Sequence, residues 1–149
     1  MSIRRQILFS ALILTSATLV PLASSHAGSR VKVIVNPSVT GEKISRGQLA
    51  AVFLRETTRW GNGLPIQAVD QSTQSPARAA FSNDMLARPV AAVQIHWVRQ
   101  LSNGGGKPPV VKESDAEVLE YVRATAGAIG YLSEDYPTDA GVKVVPVTQ

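Results

Sequence analysis

β-Branched runs and capped helical segments take turns along this chain, and that alternation leaves few folds open to it. Arg30 to Asn36 (RVKVIVN) reads as a strand closed by the Asn36-Pro37 turn. Ser45 is a good N-cap and Gln48, three residues on, completes a capping box, which predicts a helix ending near Arg55 or Glu56. Leu49, Val52 and Phe53 fall on its apolar face at i, i+3, i+4. Thr57 to Gly63 connects to a second strand, Leu64 to Asp70 (LPIQAVD). Ser75 then caps a further helix with Pro76 at its first position, where a missing N–H costs nothing.

Phe81, Met85 and Leu86 are placed toward the core. After Arg88-Pro89 the spacing predicts a helix over Val90 to Leu101, with Val93, Trp97 and Leu101 on one side. Ser102 to Pro109 (SNGGGKPP) is a break: three glycines free the backbone and two prolines set an extended exit. Ser114, with Glu117 three residues on, starts a helix over Asp115 to Thr125 that shows Val118, Leu119 and Val122. Ala126 to Leu132 (AGAIGYL) and Val142 to Val147 (VKVVPV) are the closing strands. This order predicts one α/β domain of about four to five strands flanked by helices.

The first 27 residues stand outside that domain. Arg4 and Arg5 precede an apolar core, Ile7 to Ala23, and Ser25-His26-Ala27 offers a small-x-small cleavage site. The competing reading is an uncleaved anchor. Against it, the run is barely long enough to span a bilayer, Pro21 breaks it, and no basic cluster follows. The expectation is a cleaved export signal over residues 1–27, a periplasmic product, and a domain over residues 28–149 that does not insert in the membrane.

Arg4 and Arg5 would leave with the signal, so 13 of the 15 Lys and Arg remain against all 11 Asp and Glu. Such a balance, with the signs interspersed, gives no reason to expect a nucleic-acid partner. The chain has no cysteine, so its core must hold it without disulfides.

The strand, the segment ISRGQLAAVF, the Trp60-Gly61 turn, LPIQAVD, and the serine that opens a helix form a recognisable series. Ala126-Gly127-Ala128-Ile129-Gly130-Tyr131 is its most specific part. From Val31 to Val147 the series resembles one lobe of the phosphate-type periplasmic solute-binding proteins of ABC importers. The resemblance implies a single three-layer lobe of the type II periplasmic-binding-protein kind, with no catalytic activity, no metal and no cofactor. It also implies a phosphate or other oxyanion as ligand, and an ABC permease or another envelope protein as partner.

In that family the loop reads arginine, two residues, then Gly-Ser-Gly-Thr. Here Gln71, Gln74, Pro76 and Ala77 stand at four of those places and only Ser75 is kept. Gln71 removes a charge-assisted contact, Pro76 an amide donor and Ala77 a hydroxyl. The ligand-binding candidates are Gln71, Ser72, Thr73, Ser75 and Arg78, with Ser38 or Thr40 from the neighbouring strand end.

Arg78 has a second reading as a solvated helix residue, and Ser75-Pro76 as a helix start alone. Micromolar binding needs about −8 kcal/mol. One arginine at roughly 1.5–3 kcal/mol, a few hydroxyls and a helix N-terminus at about 0.3–1 fall short of it. The expectation is weak binding by the single lobe, with a second copy or a protein partner supplying the other wall. The alternative is an envelope interaction module that kept the lobe and lost the ligand.

Other features point less far. His96 beside Trp97 reads as a structural or surface residue, and no cluster has metal-ligand spacing. Glu113, Asp115, Glu117 and Glu120 form a solvated helix start, and no G-x-S-x-G elbow marks a nucleophile. SNGGGK lacks phosphate-loop spacing and follows a helix, so it reads as a connection. Trp60 and Trp97 read as core anchors; the other reading for Trp60, beside Arg59, is a partner surface.

Overall fold

The computed structural model describes residues 30–149, so the expected export signal lies outside the described residues. A five-stranded sheet organises the molecule. Its strands are β1 (Val31–Val35), β3 (Gln67–Gln71), β4 (Val110–Lys112), β5 (Ala128–Ser133) and β6 (Lys143–Val145), in the order β4-β3-β5-β1-β6. β3 is parallel to both β4 and β5, whereas β1 is antiparallel to β5 and to β6. The helices are α1 (Arg46–Phe53), α2 (Pro76–Asp84), α3 (Val90–Ser102) and α4 (Asp115–Ala124). A small parallel pair, β2 (Ile44–Ser45) with β7 (Val147–Thr148), sits apart from the main sheet.

The two-residue period of the strands splits the core into two layers. Val33, Val35, Ile129 and Tyr131 join the larger cluster with Leu49 and Phe53 of α1, Phe81 of α2, and Val93 and Trp97 of α3. Ile34, Val69, Ala128 and Leu132 point the other way, onto Val118 and Val122 of α4. Helices therefore cover both faces of this mixed sheet, as its parallel β4-β3-β5 part requires.

α4 comes close because Gly130 faces it. A Cβ there would stand 2.7 Å from Val69 and 2.9 Å from Val118. Among the described residues no helix is long and apolar enough to cross a membrane.

Local chemistry explains where the elements begin. The Ser45 hydroxyl accepts from the Gln48 amide at 3.2 Å, and the Gln48 side chain accepts from the Ser45 amide at 2.9 Å, completing the capping box. Ser75 and Ser114 cap α2 and α4 in the same sense.

Three expectations need correction. Leu101 is 55% exposed: Val93 and Trp97 hold α3 to the core, and one turn later the helix has passed its edge. The strand expected from Leu64 enters the ladder only at Gln67. Leu64 and Pro65 instead close a hairpin, in which the Trp60 amide donates to the Leu64 carbonyl at 2.8 Å. Pro146 has no N–H to continue a ladder and divides VKVVPV into β6 and β7. The extended exit expected after Pro108-Pro109 is present and pairs with β3 as the edge strand β4.

Candidate functional site

The parallel strands β3 and β4 both end in a serine-capped helix, so the starts of α2 and α4 converge on one groove of about 350 Å³. Open α/β sheets place their ligands beyond the carboxyl ends of parallel strands in this way. Gln71, Ser72, Ser75, Ser114, Asp115 and Ser133 line it.

Gln71 is buried and fully engaged. Its Nε2 donates to Asp115 Oδ1 at 2.7 Å and to the Tyr131 carbonyl at 3.0 Å, and its Oε1 accepts from Ser75 Oγ at 2.7 Å. One side chain thus ties the cap of α2, the start of α4 and strand β5. Asp115 Oδ1 also accepts from the Ser133 amide at 3.2 Å.

Most of the turn's own donors are spent as well. The Ser72 amide donates to the Lys112 carbonyl, the Ser75 amide to the Ser72 carbonyl, and the Gln74 amide to Ser72 Oγ at 3.4 Å. Ser75 Oγ accepts from the Arg78 amide at 3.4 Å. Among the described residues the amides of Thr73 and Ala77 keep no partner in this turn. Among the described residues Glu113 and Asp115 both line the groove and no Lys or Arg does, which makes their contribution to its charge negative.

Two expected site residues lie elsewhere. Arg78 faces inward and is only 3% exposed. Its Nε stands 3.1 Å from Asp70 Oδ1 and its Nη1 donates to Ser82 Oγ. It is neither a groove ligand nor a solvated helix residue. The position puts it on the buried face of α2 with Ala77 and Phe81, where an unpaired carboxylate at the end of β3 needs a cation.

Ser38 is at the opposite end of the sheet. β1 is antiparallel to β5, so the chain leaves β1 where β3 and β5 begin, about 13 Å of strand away from the groove. There Ser38 Oγ accepts from the Gly127 amide at 2.9 Å, and Thr40 follows it. Ser72 and Ser75 do line the groove with Gln71, and Thr73 sits between them in the turn without lining it.

Beneath the groove lies a buried polar network that sequence reasoning missed. Asp70 Oδ1 accepts from Arg78 Nε, from the Gln71 amide at 2.9 Å and from the Tyr131 hydroxyl. Burial raises the Asp70 carboxyl above its ordinary value, opposed by the Arg78 guanidinium and by the hydrogen bonds from Tyr131 and Gln71. Burial and the neighbouring Asp70 push the Tyr131 phenol well up. Its ring stacks on Phe81 at 3.9 Å. An aspartate closing an apolar strand, with an arginine on the next helix's apolar face, was the signal available in LPIQAVD and PARAAF.

No family model matches the sequence. Solved structures do match in fold. An ABC-type phosphate transport receptor from Vibrio cholerae aligns with a TM-score of 0.63 at 20% identity, over 78% of this chain and 45% of its own. A putative phosphate ABC transporter substrate-binding protein with bound phosphate, from Clostridium perfringens, aligns with a TM-score of 0.62 at 18% identity, over 78% and 44%. PstS from Borrelia burgdorferi gives 0.62 at 17%, over 78% and 46%. The chain spans less than half the length of these structures, and its α/β fold is that of a lobe of the phosphate-type substrate-binding proteins.

Proposed function

We propose that this chain is an exported, periplasmic solute-binding lobe that takes phosphate or a related oxyanion weakly in the groove between the starts of α2 and α4. One observation carries the reading. In a fold shared with phosphate receptors, a strand, a turn through Ser75 and a helix meet at the carboxyl end of β3, and the turn opens on the groove. Ser72, Thr73 and Ser114 add hydroxyls around it, and the start of α2 favours an anion. Gln71, Ser75 and Arg78 hold the turn in shape.

Weakness follows from the same geometry. Among the described residues no cation lines the groove, two carboxylates do, and the face is open to water. A second copy of the chain, an ABC permease or another envelope protein would supply the missing wall.

Thermal unfolding tests this. For a Kd on the order of 1 mM, phosphate at about 100 mM stabilises the fold by roughly 2.7 kcal/mol over chloride at equal ionic strength. Ser72→Ala combined with Thr73→Val should remove that shift. Asp115→Asn keeps its acceptor oxygen and loses its charge, and should tighten phosphate about fivefold. If phosphate, sulfate and their relatives all leave the melting temperature where chloride leaves it, the binding role is gone.

A second reading has its own support: an interaction module of the envelope that kept the lobe without its ligand. Gln71 is saturated by Asp115, Tyr131 and Ser75, and Arg78 is committed to Asp70, so the groove has exchanged gripping groups for internal bonds. An unmoved melting temperature would favour it.

A further inference from the structure

A larger cavity, of about 590 Å³, opens at the opposite end of the sheet from the groove, between α1, β2 and the Trp60 hairpin. Its floor is apolar and buried: Val35, Val39, Ile44, Val52 and Val145. On α1 the wall is made by Gly47, which has no side chain, and Ala51 one turn on, and they leave space that larger residues would fill. The Trp60 indole forms the facing wall. Its Nε1 donates to the Gly127 carbonyl at 2.9 Å, so its polar edge is satisfied. The size falls within that of ordinary small-molecule sites.

The charge is one-sided. Among the described residues, Lys43 and Arg59 are the only ionisable side chains that line the cavity, and both are cations. Neither is in a salt bridge among the described residues. Arg59 spends one N–H on the Gly63 carbonyl at 2.9 Å, and the other guanidinium donors remain. Behind the wall, Lys143 donates to the carbonyls of Val39 and Gly41, adding a third positive charge. On the far side of Arg59 and Thr57 a neighbouring cavity is lined by Arg55 and Lys107, again with no carboxylate.

An apolar floor under a cationic rim discriminates between anions. A phosphate ion entering it would lose water against valine and isoleucine side chains that return nothing. A molecule with a hydrocarbon body and one carboxylate gains at both ends, burying the body against the floor and Trp60 and holding the carboxylate at Lys43 and Arg59. We propose that this cavity binds a small apolar carboxylate. The site is separate from the oxyanion groove, and neither depends on the other.

Octanoate is the probe, read by tryptophan emission and by titration calorimetry on the purified protein. A saturable change is expected in both, with the emission change lost in Trp60→Phe while Trp97 continues to report a folded core. The double variant Lys43→Glu with Arg59→Glu, on exposed side chains, should weaken octanoate by about tenfold or more and leave 1-octanol within about twofold. Phosphate should neither bind here nor compete, and Ser72→Ala with Thr73→Val should leave octanoate binding unchanged. Absence of octanoate binding in calorimetry would overturn the proposal, as would octanol binding as tightly as octanoate or a charge-reversed variant with native affinity.

Discussion

A guanidinium removed from water must be answered in kind, and Arg78 is answered by Asp70 at 3.1 Å with Ser82 beside it. Breaking one half of such a pair strands the other. Arg78→Met, which strands the buried Asp70 carboxylate, should therefore cost about 3 kcal/mol in denaturant unfolding at neutral pH, far more than any change at the exposed Arg46 or Arg88. The pH dependence has a definite sign. Burial leaves the Asp70 carboxyl holding its proton more tightly in the folded chain than in the unfolded one, whose value is near 3.8. The stability owed to this group is thus fully present below that value and lost as pH rises through the folded one. Against Asp70→Asn, which does not titrate there, the native chain should gain in melting temperature as pH falls from 6 toward 4. A gap that moves the other way would mean that Arg78 outweighs burial.

Among the elements, β5 does most to set the spacing of the layers, through Gly130. Gly130→Ala would place a methyl group against Val69, Val118 and Val122, and α4 would have to move outward. The expected loss is about 2 kcal/mol, read from the denaturant midpoint. An unchanged midpoint would show that α4 is not closely seated. The sequence pattern carried these elements well where the signal was local: the box at Ser45, the Ser114 cap, the Ser75-Pro76 start, and the alternating faces of VKVIV all have physical causes within four residues. It failed where the cause lay far along the chain. The antiparallel placement of β1, which takes Ser38 away from the groove, depends on Val33 meeting Tyr131 and Val145, nearly a hundred residues and more away. β4 becomes a strand because β3 offers its two valines an open edge, a partner that the segment VVK does not itself name. At the site, the Ser72–Ser75 turn was legible, while the inward course of Arg78 required knowing which face of α2 meets the sheet.

On the scale of the whole molecule, two hydrophobic layers share one sheet, and β1 and β5 contribute side chains to both. Neither layer can be lost without stripping a face from strands that the other needs. Unfolding should be a single transition, with tryptophan emission, which reports Trp60 and Trp97 in the larger layer, coinciding with far-UV circular dichroism, which also reports α4. Transitions that separate by several degrees would mean that α4 melts on its own.

The outer margin of the sheet has a consequence for the chain's behaviour at high concentration. β4 leaves Val110 and Val111 exposed on a free edge, an invitation to another molecule's backbone. Yet the edge is only three residues long, and just before it Pro108 and Pro109 present rings where amide hydrogens would stand. An incoming strand finds too few donors to register against, which blunts fibrous self-association at the point where the valines would otherwise encourage it.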